Sequence, residues 1–259
     1  MTFADYRAAP GVNISYLKGF ARSPAHALVK KEATPAMALG TAFHTLILQP
    51  ERFDQDVMIY DAAKTVTKDH MAKYPDKAVI SRANMEALEC MALAVSRHPQ
   101  AREALSCGPV EQSLFWELDG VACKGRPDVY APDVDLIVDL KKTKDASFLA
   151  FRKQMESLLY HWQGAFYLDA HKVKTGREGR FCFVCVEDTP PYGVACYNLM
   201  PRHVELGRQG YQKAVQSHLE CLKTGVYPAY PEGWIDLTPS KWASDGFTNY
   251  ELEGDDFDE

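Results

Sequence analysis

Apolar and polar positions along the chain change period several times, and each change marks an element. Residues 13–30 open with Asn13 and Ser15, both able to cap a helix, and place Tyr16, Leu17 and Phe20 at helical spacing before Ser23-Pro24, which predicts a short helix and a turn. From Ala36 to Leu48, Met37, Leu39, Phe43, Leu46 and Ile47 form a broad apolar stripe that Gln49-Pro50 brings to an end. His44 lies in the middle of that helix, one turn after Gly40, a residue that would let another backbone approach closely. Residues 51–80 are mixed and read as loop-rich, whereas 82–106 return to helical spacing through Met85, Leu88, Met91, Leu93 and Val95.

The period then shortens. Ser113 to Leu118 and Val121 to Arg126 read as two strands joined at the Asp119-Gly120 turn, and Val134 to Leu140 as a third, largely apolar strand. A long helix is expected from Ser147 to about Lys172, strands near 180–187 and 193–199, and a helix from about 202 to 223. Strands interleaved with long helices around a central hairpin predict an α/β (mixed α+β) domain, a mixed sheet flanked by helices. Residues 1–250 read as one domain.

Composition narrows the class. With 46% hydrophobic residues the 259-residue chain can bury a core, and neither a long apolar run nor a secretory N-terminus is present, so a cytoplasmic protein with no membrane partner is expected. Seven cysteines, an odd number, fit free thiols better than a disulfide framework. Cys182 and Cys185 sit in an apolar strand pattern, where positions i and i+3 face opposite sides, and read as strand residues rather than metal ligands. The formal charge of −6 argues at first against nucleic acid. Residues 251–259, however, hold six acidic groups and no basic one, leaving 29 basic and 29 acidic groups in a neutral body. That tail is expected to be disordered, and either solubilises the chain, docks on a basic partner or competes with DNA.

The chemistry gathers at Pro127-Asp128 and Asp139-Leu140-Lys141. Asp128 would end one strand, while Asp139 and Lys141, two apart on the next, share a face with Leu140 turned to the core. Two carboxylates could hold Mg²⁺ beside a phosphodiester, with the Leu140 carbonyl as a further ligand and Lys141 orienting the attacking water. An Asp-x-Lys triplet is also common at solvated strand edges. His44 is either a boundary histidine or a metal ligand, and Gln163 and Tyr167, at i and i+4 on one helix face, could both reach a phosphate or base.

In order, Gly40-x-x-x-His44, Pro127-Asp128, Asp139-Leu140-Lys141 and Gln163-x-x-x-Tyr167 resemble the motifs of RecB-like PD-(D/E)xK nucleases, and most closely those of the RecE-type (exodeoxyribonuclease VIII-like) phage-borne exonucleases. The resemblance extends through Ile14 to Phe20 with Ser23-Pro24, Gly40 to Phe53, Glu111 to Asp128 and Tyr160 to Tyr167, and ends near Tyr227-Pro-Ala-Tyr230 and Leu237 to Ala243. It implies a Mg²⁺-dependent exonuclease, with Mn²⁺ as a substitute, that degrades linear double-stranded DNA from 5′ ends and leaves 3′ overhangs. A single-strand annealing protein as partner and a homo-oligomeric ring, such as a tetramer, belong to the same implication.

Carried over by position, the resemblance makes His44, Asp128 and Asp139 metal ligands, Lys141 the catalytic lysine and Gln163 and Tyr167 an accessory pair. Glu111 is a further acid at the metal or a surface strand residue. Relatives with an iron-sulfur cluster keep a cysteine ahead of the histidine motif; the first cysteine here is Cys90, so no iron-sulfur cluster is expected. Lys124, Arg126, Lys142 and Lys144 either contact DNA phosphates or line a solvated edge. Trp116, Tyr160 and Trp162 read as core or boundary aromatics rather than stacking platforms for bases. An endonuclease on the same core, or an inactive DNA-binding protein retaining the fold, are the alternatives.

Overall fold

The computed structural model describes residues 1–30, 32–62 and 65–238; the acidic stretch 251–259 lies outside them. Met1–Tyr227 form one compact unit, and a second unit begins at Pro228. The described part of that second unit, residues 228–238, contains neither helix nor strand.

Short helices α1 (Phe3–Ala8), α2 (Ile14–Phe20) and α3 (Pro24–Ala27) start the chain. Each is closed by a side-chain cap, from Thr2, Asn13 and Ser23 respectively. Helix α4 (Pro35–Leu48) follows the expected stripe, with Thr34 as cap and Pro35 preset for the first turn. Its buried face is Ala38, Ala42, Phe43, Thr45 and Leu48.

The segment 51–80, expected to be loop, holds α5 (Phe53–Asp56), β1 (Val57–Tyr60), α6 (Lys68–Ala72) and β2 (Ala78–Ser81). β1 and β2 pair in parallel, too short at four residues each to display a period. The expected helix 82–106 is two, α7 (Arg82–Arg97) and α8 (Pro99–Ser106), because Pro99 cannot continue the first and its preceding residue His98 is extended.

The hairpin forms as expected from β3 (Leu114–Leu118) and β4 (Val121–Gly125). Asp119 and Gly120 both take positive φ, 50° and 78°, which matches the twist of a two-residue hairpin. The main sheet is β5 (Val129–Ala131), β6 (Leu136–Thr143), β7 (Arg180–Glu187) and β8 (Val194–Asn198), in that order. β6 and β7 are parallel and the outer pairs antiparallel, so the sheet is mixed.

Between β6 and β7 the single long helix expected is broken into α9 (Phe148–Ser157) and α10 (Tyr160–Thr175), with Leu159 left-handed at φ 53° between them. Helix α11 (Pro201–Thr224) closes the unit.

Alternation along β6 and β7 divides the interior. Ile137, Phe181, Phe183 and Cys185 pack under α2, α9, α10, α11 and the hairpin. Val138, Leu140, Val184 and Val186 pack under α4 and α7. The sheet thus lies between two apolar layers, and its strand cysteines Cys182 and Cys185 fall on opposite faces, as the spacing requires. Among the described residues no helix is long and apolar enough to cross a membrane.

Candidate active site

Side chains from helices α4 and α10 and from the connections that carry Glu111 and Asp128 gather around Asp139, Leu140 and Lys141 in the middle of β6. From one face comes α4, whose His44 sits beside buried Phe43 at the margin of the apolar stripe. Gly40 does not have the role expected of it: a Cβ there would meet nothing within 4 Å, so no backbone approaches it.

Asp128 does not end a strand. It stands in the short connection ahead of β5, and its backbone carbonyl accepts from Glu111 N–H at 2.9 Å. Its Oδ2 accepts from the Leu140 N–H at 2.6 Å and its Oδ1 lies 3.2 Å from His44 Nδ1. In a strand a residue's N–H and C=O project to the same edge, so the Leu140 carbonyl points to the edge of β6 on which Asp128 lies, while its side chain is fully buried in the layer beneath α4.

Asp139 and Lys141 share the other face of β6, as their spacing predicts, and form an ion pair. Asp139 Oδ1 accepts from Gln163 Nε2 at 2.6 Å, which fastens α10 to the strand. One helical turn on, Tyr167 is buried and its hydroxyl lies 3.5 Å from the Arg126 carbonyl. It supports the Arg126-Pro127-Asp128 turn from beneath and does not face outward to a phosphate or base. Close packing at β4 makes this possible: a Cβ on Gly125 would lie 2.6 Å from Tyr167 Cε1.

His44, Glu111 and Asp128 each offer a ligand atom, and these atoms lie within 4.8 Å of one another. Glu111, at φ 52°, faces this cluster, and Arg126 Nε donates to its Oε2 at 2.7 Å. Arg126 also donates to Ser113 Oγ at 3.0 Å, so this guanidinium is turned inward, largely buried and already paired.

Lys124 likewise corrects the expectation. Its ammonium is buried and donates to the carbonyls of Tyr6, Arg7 and Ala9 at 3.1, 3.1 and 2.5 Å, satisfying the open end of α1. Lys142 pairs with Asp188 at 2.6 Å, and Lys144 is exposed. Trp116 is buried, and Trp162 and Tyr160 are half-buried against the same core.

The electrostatics are those of crowded acids. Burial pushes Asp139 above the usual carboxylate range, with Lys141 offsetting part of the effect. Burial and then the Asp128 charge raise Glu111, although Arg126 pulls the other way. Burial works against the Asp128 carboxylate too, but His44, Lys141 and the Leu140 N–H outweigh it and hold its pKa low. His44 is raised because Asp128 outweighs the burial that opposes its cation. Lys141, similarly buried, is raised by Asp139 and Asp128.

A divalent cation fits this donor set. Two carboxylates and one imidazole, from Glu111, Asp128 and His44, offer ligand atoms to one small space with no thiolate among them, and a positive ion would offset the burial and the Asp128 charge that raise Glu111 and the nearby Asp139.

Residues 13–237 match the family described as a PDDEXK-like domain of unknown function (DUF3799). The chain belongs to that family. This PDDEXK-like protein is also similar in structure to a "Putative exonuclease" from Eubacterium rectale, with a TM-score of 0.68 and 17% identity over 94% of this chain and 97% of that one. At that identity the likeness shows the fold alone; together with the family match it bears out the expected PD-(D/E)xK fold of a mixed sheet flanked by helices. A phage related exonuclease from Haemophilus somnus 129PT aligns over 86% of this chain and 100% of its own, at TM-score 0.40 and 10% identity. A search of curated proteins gave no match.

Proposed function

We propose that this PDDEXK-like protein is a Mg²⁺-dependent exodeoxyribonuclease that shortens linear double-stranded DNA 5′ to 3′, leaving 3′ single-stranded overhangs for an annealing protein to use in recombination. The observation that carries the hydrolytic reading is the convergence of His44, Glu111 and Asp128, from three separate parts of the chain, on the stretch of β6 that carries the Asp139–Lys141 ion pair. Solvated edge residues have no reason to be brought together and buried in this way, and isolated buried acids cost too much to be retained idly. Polarity, the overhang, a ring-shaped homo-oligomer, the annealing partner and a cytoplasmic location rest on the resemblance of the ordered motifs to RecE-type exonucleases.

The residues divide the work. His44, Asp128, Glu111, Asp139 and the Leu140 carbonyl would hold the cation, Mg²⁺ or Mn²⁺, which when bound supplies Lewis-acid polarisation of the phosphate and acidifies water. Lys141 places a fixed positive charge where the attacking water and the phosphoryl oxygens meet, lowering the cost of the charge that develops there. Gln163 holds the Asp139 carboxylate in one orientation through its amide. Tyr167 holds the turn that carries Asp128.

The test is digestion of end-labelled linear duplex with Mg²⁺, beside a closed circular control and Asp139→Ala. Loss of label from the linear substrate alone, abolished in the variant, is the expected result. Cleavage of the circle would replace the exonuclease with an endonuclease, and undiminished activity of Asp139→Ala would overturn the site.

A further inference from the structure

Tyr160 is the first residue of α10, immediately after the left-handed Leu159 that breaks the α9–α10 segment. Leucine gains nothing from φ 53°, so the surrounding structure imposes that conformation. One effect of the break is to set the direction in which α10 starts. Tyr160, Gln163 and Tyr167 then fall at i, i+3 and i+7, one continuous stripe on a helix. Each member meets a successive part of the site: Tyr167 the Arg126 carbonyl, Gln163 the Asp139 carboxylate, and Tyr160 the Lys141 ammonium, whose Nζ lies 4.7 Å from the ring centroid. The ring itself packs in tilted contacts with Phe151 and Phe183, at centroid distances of 6.4 and 6.2 Å.

Lys141 is paired with Asp139, the residue whose carboxylate the proposed chemistry needs for a cation. Once that carboxylate turns to a metal ion, the ammonium loses part of its partner while remaining largely out of solvent, and a flexible four-carbon stem would let it swing away. An aromatic face attracts an ammonium without offering a ligand atom that competes for the metal. The geometry points to Tyr160 as a positioning residue that holds the Lys141 ammonium over its ring when Asp139 is engaged by the cation. This inference rests on the nuclease reading of the site for its consequence, but the contact itself can be read without turnover.

The test replaces Tyr160 by phenylalanine and by phenylalanines carrying one, two and three ring fluorines, which keep the shape while draining the negative face, and by leucine. In the metal-loaded protein, log kcat should fall steadily with each fluorine, to roughly a tenfold loss at the third or in Tyr160→Leu, with KM for DNA changed less than about threefold and Tyr160→Phe close to wild type. Independently of activity, the Lys141 ε-methylene resonance, assigned by its absence in Lys141→Arg, should be shifted upfield by the ring in wild type and Tyr160→Phe and return to the ordinary position in Tyr160→Leu. Lys18 Nζ lies 5.1 Å from the same ring, so the fluorine series is repeated in Lys18→Met, where the slope should persist. A flat fluorine series, a loss that appears in KM alone, a slope that vanishes with Lys18→Met, or an unshifted Lys141 resonance would each overturn the assignment. If the resonance is shifted but wild type cleaves no DNA, it is the nuclease reading that fails.

Discussion

His44 Nδ1 lies 3.2 Å from Asp128 Oδ1, an imidazole from the helix on one face of the sheet meeting a carboxylate from the turn ahead of β5. The contact fixes the pH behaviour of the metal-free protein. His44 is raised from 6.5, by Asp128 against the opposing effect of burial, so its share of stability is complete below 6.5 and is lost as pH rises through the raised value. Asp128 is lowered from 3.8, so its share is present above 3.8 and is lost as pH falls through the lowered value. With chelator present, the penalty of His44→Gln in urea unfolding should therefore be larger at about pH 5.5 than at about pH 9. An equal penalty at both would show that the pair is not ionised as described. As a proposed ligand, His44 would have to give up its proton to the cation, so metal affinity should weaken toward acid pH, with proton release visible by calorimetry in two buffers.

Glu111 faces both Arg126 and the cluster. Glu111→Gln removes a negative ligand while leaving an acceptor for Arg126, so metal affinity should fall about tenfold or more with little change in metal-free stability. A Mn²⁺ titration followed by thermal shift reads both quantities. Unchanged affinity would return Glu111 to a purely structural pairing.

Gly125→Ala places a methyl group 2.6 Å from Tyr167 Cε1, closer than real contacts allow. We expect a loss of about 1–3 kcal/mol in stability and a lower kcat as the Asp128 turn is displaced. Trimming the opposing ring should relieve the clash, so Gly125→Ala with Tyr167→Leu should be more stable than the sum of the single changes predicts. Strict additivity in denaturant unfolding would show that the two residues do not press on each other.

Lys124→Met should cost about 2 kcal/mol, since three carbonyls lose their donor, and should leave the salt dependence of DNA binding unchanged. Lys144→Met, at an exposed position, should do the reverse, reducing the salt slope by about one with stability intact. Binding isotherms at several salt concentrations distinguish the two.

Long periodic segments were legible in the sequence: α4, the Asp119-Gly120 hairpin and α11 lie where their patterns place them. Three-residue β5 and four-residue β1 and β2 were not, because so few positions cannot establish a period. The α9–α10 break was hidden by Leu158-Leu159, residues that favour a helix and gave no sign of the conformation packing imposes on Leu159. At the site, spacing alone put Asp139 and Lys141 on one face, but charge along the chain could not show that Lys124 and Arg126 point inward. Tyr160 escaped notice as a boundary aromatic, although its spacing from Gln163 and Tyr167 was visible from the start.

The sheet separates two apolar layers, and the proposed ligands come from both: His44 from the helix above Leu140, Asp139 from the face held by α10. A bound cation would therefore act as a rivet through the molecule. Either layer could loosen by itself in the metal-free chain, but once the ion is seated, lifting one layer means surrendering the ligands of the other, so metal should merge two opening events into one cooperative transition.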